Sequence, residues 1–241
     1  MTTSNFTGKT YLVIGGDGGL GGPTVSALEA GGATVHQMNR DRVDLRSRDV
    51  LARAITAAWQ LDGPFDGLVH AAGLFPAHAV LDATESMFDE VLTVNARSAL
   101  IATVSIAQLA VQANRECQIV LISSGAGTRP RVGTVTYAAS KAAVDAIVRG
   151  TALELGASRI RVNAVAPGFV QVSSQINPIP NHYISELAAA SFQGRVAVAE
   201  DVVPLVLWLL SSASAWVTGQ TIAIDGGSSL GTVAGPSWLA T

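Results

Sequence analysis

The feature that most restricts the fold is a regular alternation of short apolar runs with longer helix-like segments. The apolar runs are rich in β-branched residues and predict strands at 11–14, 34–38, 67–70, 119–123, 161–165 and 221–224. The segments between them predict helices at 21–30, 47–60, 84–113 (as two helices), 136–155 and 200–213. Short, non-alternating apolar strands separated by helices are typical of a parallel sheet covered on both faces. We therefore expect residues 1–241 to form one α/β domain, a doubly wound parallel sheet of the Rossmann type with helices on both faces.

One connection departs from this pattern. Residues 39–42 alone separate the second predicted strand from the extended-looking segment 43–45. A crossover between parallel neighbours needs about a dozen residues or more. We therefore expect the segment 43–45 either not to be a strand or to be a short extended piece at the sheet edge.

The chain is unusually apolar for a soluble domain. Hydrophobic residues make up 49% of it and charged residues 14%, against about 25% charged residues in an average soluble domain. A membrane-crossing helix needs about 20 mainly apolar residues, and the densest run, 202–210, is shorter and contains Pro204. The chain also opens without the basic and apolar segments of a secretory signal. We expect a protein that does not cross a membrane.

Charge and cysteine content restrict the partners and the location. The net charge is −3 and the basic residues are scattered, whereas nucleic-acid binding needs a clustered positive face. The single cysteine, Cys117, cannot form an internal disulfide, which fits a reducing compartment. The histidines belong to no group with metal-ligand spacing. These observations favour a cytoplasmic protein without a nucleic-acid partner or a metal.

A glycine-rich segment, 15–22, follows the first predicted strand and leads into the first predicted helix. Two spacings overlap in it, Gly16-x-Gly18-x-x-Gly21 and Gly15-x-x-x-Gly19-x-Gly21. Either spacing leaves bare backbone where a pyrophosphate approaches a helix N-terminus, whose free N–H groups favour anions. A flexible strand–helix connection would also contain glycines, but the position in the chain favours a dinucleotide-binding loop.

The residues at the end of the second predicted strand bear on the choice of cofactor. Asn39 and Arg40 lie 18 and 19 residues after Gly21. At about this distance an acidic residue binds the ribose 2′-OH of NAD, whereas an arginine accommodates the 2′-phosphate of NADP. The neutral Asn39 followed by Arg40 therefore favours NADP over NAD, although Arg40 could also be a solvated loop cation.

Three further residues suggest acid–base chemistry. Tyr137 and Lys141 lie four residues apart, on one face of a predicted helix. An ammonium near a phenol lowers the pKa of the phenol, which would make Tyr137 a proton donor and acceptor near neutral pH. Ser124 follows a predicted strand, at the carboxyl end where open α/β sheets bind ligands. A surface Tyr–Lys pair and a loop-capping serine are the alternative interpretation.

With these motifs in this order, the chain resembles a short-chain dehydrogenase/reductase over nearly its whole length. The motifs that carry the resemblance are Gly15/Gly19/Gly21, Asp44-Leu45, His70-Ala71-Ala72-Gly73, Asn95, Ser124, Tyr137/Lys141, Asn163-Ala164-Val165-Ala166-Pro167-Gly168 and Asp225-Gly226-Gly227. The resemblance implies a catalytic tetrad of Asn95, Ser124, Tyr137 and Lys141. It also implies cofactor contacts from Gly15, Gly19, Leu20, Gly21, Asn39, Arg40, Asp44, Leu45, Ala71, Ala72, Gly73, Tyr137, Lys141, Pro167, Gly168 and Val170.

The reaction implied by the resemblance is NADP-dependent interconversion of a ketone and a secondary alcohol. Tyr137 would donate a proton to the developing alkoxide and Ser124 would polarise the carbonyl oxygen. Lys141 would hold the ribose hydroxyls, and Asn95 would hold a proton-relaying water. The segment 171–195 covers the substrate in this family, and here it is mostly apolar. This suggests a small apolar carbonyl or alcohol substrate, unless these residues only pack onto the body of the fold.

The family also implies an assembly. Its members are most often homotetramers, in which the helices matching 98–113 and 137–155 form one contact face. The C-terminal region, here 208–238, contributes to a second face. The low share of charged residues in this chain fits such buried contacts between subunits.

The sequence departs from the family pattern at four places. Ile14 stands where a threonine usually precedes the glycine loop, and His70 replaces an asparagine. Val172 stands where a threonine usually contacts the cofactor, and Ser173 could replace it by a one-residue shift. The helix that the family has directly after the second strand is expected to be shortened or absent here, which trims the adenine end of the site and leaves the catalytic end intact.

Two other classes of function stay open. The first is different chemistry on the same fold, such as enoyl reduction, dehalogenation or epimerisation. Enoyl-reducing relatives place six residues between tyrosine and lysine, whereas three separate them here and position 134 is Thr. The second is a non-catalytic nucleotide-binding regulator, which would have no need of Tyr137.

Overall fold

A parallel sheet of six strands lies at the centre of the fold in the computed structural model, which describes residues 5–47, 49–172, 181–189 and 191–231. The strands are β1 (Thr10–Ile14), β2 (Thr34–Met38), β3 (Gly67–His70), β4 (Cys117–Ile122), β5 (Ile160–Pro167) and β6 (Thr221–Ile224). Their order in the sheet is β2-β1-β3-β4-β5-β6. All six predicted strands are confirmed, and they belong to one doubly wound Rossmann-type sheet.

The helices follow the strands in the predicted alternation. They are α1 (Gly21–Ala30), α2 (Val50–Asp62), α3 (Glu85–Leu92), α4 (Ser98–Gln112), α5 (Val135–Leu155), α6 (Asn181–Ala189) and α7 (Ala199–Leu210). A π-helical turn, Thr93–Arg97, joins α3 to α4, so the predicted division of 84–113 into two helices is confirmed. The helix α6 was not predicted.

Two hydrophobic clusters cover the two faces of the sheet. Leu12 and Ile14 of β1 belong to the cluster that contains residues of α2, α4 and α5. Tyr11 and Val13 point to the other face and pack with residues of α1 and α7. Because successive strand residues alternate between faces, a strand buried on both sides must be apolar throughout. Each fully buried aliphatic side chain contributes about 1.5–3 kcal/mol relative to an exposed one.

The strand β2 lies at one edge of the sheet. After Met38 the chain turns, and the amides of Arg42 and Val43 both donate to the Asn39 carbonyl at 3.0 Å. The side chain of Val43 is buried against the first cluster, and the next element is α2. Between 39 and 47 the structure has neither a strand nor a helix. The family's additional helix, expected to be shortened or absent, is not found in this stretch, α2 is the next helix, and the segment 43–45 is not a strand.

Among the described residues, one continuous helical stretch has the length and composition of a membrane-crossing helix. It runs from Glu85 to Gln112 and contains a window of mean hydropathy 1.4. Within the fold, 61% of that window is buried, because α4 packs against β3, β4, α2 and α5. The apolar character of this stretch is therefore largely accounted for by its packing on the sheet.

Candidate active site

At two positions the glycine loop after β1 packs too closely against other backbone to admit a side chain. Gly15 has φ +80°, and a Cβ there would lie 2.7 Å from the Ala72 amide nitrogen. A Cβ on Gly21 would lie 1.9 Å from the Gly15 carbonyl oxygen. The loop therefore folds back on itself at the start of α1 and packs against the segment that follows β3. Bare backbone at a helix N-terminus is what a pyrophosphate needs, so these residues fit a dinucleotide cofactor.

The predicted adenosine contacts lie at the end of β2 and in the turn after it. The Asn39 side-chain oxygen accepts a hydrogen bond from the Asp17 amide at 3.2 Å, which ties the end of β2 to the glycine loop. Arg40 is exposed. The Asp44 carboxylate accepts from the Arg46 guanidinium at 3.0 Å, and hydrogen bonds from Arg46 lower the pKa of Asp44.

The predicted nicotinamide-side contacts follow β3 and β5 at the same edge of the sheet. The Ala71 amide donates to the Ile14 carbonyl at 2.9 Å, which extends the pairing of β3 with β1. A Cβ on Gly168 would lie 2.9 Å from the Asp225 Cβ, so the turn after Pro167 packs closely on the chain after β6. Val170 forms a parallel bridge with Ala197.

The remaining predicted cofactor residues join these segments. Leu20 directly precedes α1 and packs against the second hydrophobic cluster. The Leu45 carbonyl accepts from the Arg97 guanidinium at 3.0 Å. A Cβ on Gly73 would lie 3.4 Å from Asn95 Oδ1 and 3.6 Å from Lys141 Nζ. The carboxyl edge of the sheet therefore carries the predicted cofactor and catalytic residues together.

Two of the residues that depart from the family pattern, Ile14 and Val172, have clear packing partners. The side chain of Ile14 is buried in the core, so it is a packing residue. A Cβ added to Gly19 would lie 2.4 Å from the Val172 Cβ, which places the Val172 side chain directly on the glycine loop. Ser173 lies outside the described residues.

Asn95 occupies the π-helical turn between α3 and α4. Its Oδ1 accepts from the Leu74 amide at 2.7 Å, and its Nδ2 donates to the Leu74 carbonyl at 2.9 Å. The same Nδ2 donates to Ser140 Oγ at 2.9 Å. A π turn displaces the helix backbone locally and is frequent at functional sites. Here it aims a buried amide at both the segment after β3 and the helix that carries Tyr137 and Lys141.

Tyr137 and Ser124 meet across the carboxyl edge of the sheet. Ser124 follows β4, and its hydroxyl accepts from the Ala126 amide at 3.2 Å. It also lies next to the Tyr137 phenol: burial raises the pKa of Tyr137, and the nearby Ser124 hydroxyl acts in the opposite direction. The ring of Phe75 packs edge-on against the Tyr137 ring, with centroids 4.7 Å apart and planes at 86°. This arrangement can present two hydroxyl groups to one oxygen atom of a substrate.

Lys141 lies one turn of α5 beyond Tyr137 and is buried. Its ammonium donates to the Ile122 carbonyl at 2.7 Å and lies 5.6 Å from the Tyr137 ring centroid. Burial lowers the pKa of Lys141 to about 8. The expected lowering of the pKa of Tyr137 is not found in the chain alone, because burial disfavours the phenolate and raises that pKa.

Sequence reasoning missed two buried contacts beside these residues. His70 Nε2 lies 2.8 Å from Ser98 Oγ, and that hydroxyl donates to the Val94 carbonyl in the π turn. Asp145, one turn beyond Lys141, accepts from Ser123 Oγ at 2.6 Å. The replacement of an asparagine by His70 was a signal for the first contact. The four-residue spacing from Lys141 was a signal for the second.

Residues expected to cover the substrate are only partly in the described chain. The Tyr183 ring of α6 packs edge-on against Phe169, with centroids 6.4 Å apart, which brings α6 to the turn after β5. The residues 173–180 lie outside the described chain.

Known proteins match this chain over most of its length. A family model described as enoyl-(acyl carrier protein) reductase matches residues 19–229. L-xylulose reductase of Mesocricetus auratus is 32% identical over 234 residues, which cover 91% of this chain and 96% of that protein. Carbonyl reductase (NADPH) 2 of Sus scrofa is 30% identical over 237 residues, which cover 92% of this chain and 97% of that protein.

The fold has close counterparts among solved structures. A short-chain type dehydrogenase/reductase from Mycobacterium ulcerans superimposes with a TM-score of 0.85 at 27% sequence identity. The match covers 95% of this chain and 93% of that one. Sequence and structure comparisons therefore agree over more than nine-tenths of the chain.

Proposed function

The chain belongs to the short-chain dehydrogenase/reductase family of NAD(P)-dependent oxidoreductases, and from this premise we propose that it interconverts a ketone and a secondary alcohol with NADP as cofactor. The observation that carries the proposal is the meeting of Ser124 and Tyr137 beside the buried Lys141. This meeting occurs at the edge of the sheet where the glycine loop lies. When bound, the nicotinamide cofactor supplies or accepts the hydride.

In the direction of reduction, the residues of the chain bind and protonate the carbonyl oxygen. Ser124 donates a hydrogen bond to that oxygen and polarises the carbonyl bond. Tyr137 gives its phenolic proton to the developing alkoxide, as a general acid. In oxidation the deprotonated form of the same side chain, the phenolate, takes the proton from the alcohol. The raised pKa of Tyr137 in the chain alone favours the protonated phenol, which is the form that reduction needs.

Lys141 and Asn95 support this chemistry without touching the carbonyl carbon. Lys141 holds its ammonium near the phenol and contributes positive charge where the alkoxide develops. Asn95 fixes both Leu74 and Ser140 through its amide, and so holds the segment after β3 against α5. The water that the resemblance assigns to Asn95 stays a prediction.

The preference for NADP rests on charge at the end of β2. Asn39 replaces the acidic residue that would bind a ribose 2′-OH, and the exposed Arg40 follows it. The relative in Sus scrofa carries NADPH in its name. Arg40→Ala is expected to raise the KM for NADPH about tenfold and leave the KM for NADH unchanged. Arg53→Ala, an exposed arginine on α2, is the control, and a wild-type preference for NADH would contradict the assignment.

A ketone is favoured over an enoyl thioester by the residue that occupies position 134. A tyrosine there would have the six-residue spacing to Lys141 of enoyl-reducing relatives. Thr134 is buried, and its hydroxyl donates to the Arg131 carbonyl at 2.7 Å. This hydroxyl is therefore engaged by the backbone and cannot replace the phenol as an acid.

The decisive experiment is an NADPH-oxidation assay against a panel of apolar ketones and quinones. Alcohol oxidation with NADP and reduction of a short 2-enoyl thioester complete the panel. Ketone reduction without enoyl reduction supports the proposal. Enoyl reduction alone would contradict the ketone assignment, and silence over the whole panel would favour a nucleotide-binding regulator.

We also propose a cytoplasmic homotetramer that acts on a small apolar carbonyl or alcohol. The buried, free Cys117 is compatible with a reducing compartment. The exposed ring of Phe75 beside Tyr137 favours an apolar group on the substrate. Cell fractionation tests the location.

A further inference from the structure

A buried carboxylate that the proposed chemistry does not use lies just behind the catalytic residues. Asp145 of α5 is only 5% exposed. Its Oδ1 accepts from Ser123 Oγ at 2.6 Å and from Thr221 Oγ1 at 3.2 Å. A Cβ added to Gly127 would lie 2.9 Å from its Oδ2, so the backbone approaches the second oxygen closely. Burying a carboxylate is costly unless it is hydrogen-bonded or paired with an opposite charge.

These contacts connect three elements at the point where the site is built. Asp145 lies on α5, Ser123 directly follows β4, and Thr221 begins β6. The link from α5 to Ser123 is the one that bears on Ser124. The backbone of Ser124 is extended, with φ −162° and ψ 150°, and adjacent side chains of an extended chain point to opposite sides. Holding Ser123 against Asp145 therefore fixes the direction of the Ser124 side chain, which lies next to Tyr137.

The same carboxylate bears on the charge of Lys141, which precedes it by one helical turn. The charged and titratable groups around the Lys141 ammonium are Tyr137 and Asp145 on α5 and His70 at the end of β3. At the end of β4 its ammonium donates to the Ile122 carbonyl, and the neutral Ser123 and Ser124 follow. Burial lowers the pKa of Lys141, and Asp145 acts in the opposite direction.

We propose that Asp145 is a positioning residue for the catalytic site, which orients Ser124 through Ser123 and stabilises the Lys141 ammonium. The inference rests on the proposed function, because it assigns Asp145 a part in presenting the same proton donors. It separates two contributions, an orienting hydrogen bond and a stabilising charge. Each can be removed without the other.

The test compares Asp145→Asn with Ser123→Ala in the full-length protein. Asn keeps the volume and an acceptor oxygen but removes the charge. The alkaline limb of kcat/KM for ketone reduction, where Lys141 loses its proton, is expected to move to lower pH by about one unit. Ser123→Ala keeps the charge but breaks the link to Ser124. It is expected to lower kcat by about tenfold and leave the alkaline limb in place.

Two further variants make the outcome decisive. Asp145→Glu retains the charge and should keep the wild-type alkaline limb. Asp145→Ser removes the charge in a smaller side chain and should show the same shift as Asp145→Asn, should the latter not fold. An alkaline limb that does not move in a folded charge-removing variant overturns the stabilising role. An unchanged kcat in Ser123→Ala overturns the orienting role.

The wild-type protein distinguishes this inference from the proposed function. Absence of ketone reduction by the wild type would contradict the proposed function itself. An active wild type whose alkaline limb is unaffected by the loss of the Asp145 charge would contradict only the present inference. Urea unfolding of each variant establishes that the comparison is made on folded protein.

Discussion

At the scale of single residues, the phenol of Tyr137 is the group on which the proposed chemistry depends most. Tyr137→Phe keeps the ring and its packing on Phe75 but removes the transferable proton. We expect kcat to fall by at least about a hundredfold, the usual size for the loss of acid–base catalysis. The dissociation constant of NADPH, measured by fluorescence titration, should change by less than about threefold, because Phe keeps the ring in place. A tenfold change would correspond to about 1.4 kcal/mol.

Tyr11→Phe is the matched control for this experiment. It removes a phenol from the second hydrophobic cluster, away from the carboxyl edge of the sheet. Its kcat is expected to stay close to the wild-type value. Turnover at the wild-type rate in Tyr137→Phe would exclude the phenol as the acid.

His70 should make the stability of the fold depend on pH. Its burial, with the Lys141 ammonium as a second cause, lowers the pKa of His70 to about 3, against about 6.5 in an unfolded chain. Between these values the unfolded state binds a proton that the folded state excludes. This contribution to stability is therefore complete above pH 6.5 and is lost as the pH falls below it, by up to about 1.4 kcal/mol per unit.

Urea unfolding between pH 5 and 7.5 measures this dependence. His70→Asn, the asparagine that the family usually has here, should flatten the decline of the unfolding free energy at low pH. His182→Asn removes an exposed histidine from α6 and should leave the decline unchanged. Identical slopes in the wild type and His70→Asn would show that His70 does not carry the effect.

Residue roles could be predicted from the sequence where the spacing itself defines the geometry. Tyr137 and Lys141 lie on one helix, so four residues of separation suffice to place them together. The contact of Ser123 with Asp145 joins residues 22 apart, and that of His70 with Ser98 joins residues 28 apart. Such contacts depend on how strands and helices pack, which local spacing does not determine.

At the scale of elements, strands were easier to predict than irregular helical features. The four central strands, β1, β3, β4 and β5, are mostly apolar because they are buried on both faces, whereas the edge strands β2 and β6 are partly exposed. The π turn at 93–97 has no compositional signature, since it arises from a local change in backbone hydrogen bonding. The helix α6 was missed because the apolar residues of 171–195 were interpreted as a cover for the substrate.

The glycine loop allows a prediction at the scale of an element, from two neighbouring glycines at the start of α1. A Cβ on Gly21 would lie 1.9 Å from the Gly15 carbonyl oxygen, whereas one on Gly22 would lie 3.4 Å from the Gly16 carbonyl oxygen. Gly21→Ala must therefore displace backbone, and we expect it to lower the unfolding free energy by about 1–3 kcal/mol. Its dissociation constant for NADPH should rise at least about tenfold, by about 1.4 kcal/mol or more.

Gly22→Ala is the control for this element. The added methyl group meets only ordinary packing, and alanine is the better helix former by about 1 kcal/mol. Its free energy of unfolding should be equal to or above that of the wild type. Because the loop backbone need not move, its affinity for NADPH should stay within about threefold of the wild-type value; a tenfold change would correspond to about 1.4 kcal/mol. Equal affinities in the two variants would contradict the assignment of the loop to the cofactor.

At the scale of the whole molecule, the low share of charged residues has two sources. The first is the sheet, whose strands are apolar because helices cover both faces. The second is apolar surface that the single chain leaves exposed on α4 and α5. Leu100, Val104 and Val111 of α4 and Leu153 of α5 are all at least 37% exposed. Their spacing of four and seven residues places the three α4 side chains on one face of the helix, which is the face expected to contact another subunit.

This apolar face leads to a prediction about assembly that light scattering can test. We expect the wild type to have four times the 24.7 kDa mass of the chain, because two different contact faces generate a tetramer of D2 symmetry. Val104→Glu places a charge on the α4 face and should halve that mass, since the second face still joins two chains. Leu61→Glu, at an exposed leucine of α2, should leave it unchanged. A wild-type mass equal to that of one chain would leave the α4 and α5 surface without its expected partner, and the apolar composition would then have to be explained by the single chain alone.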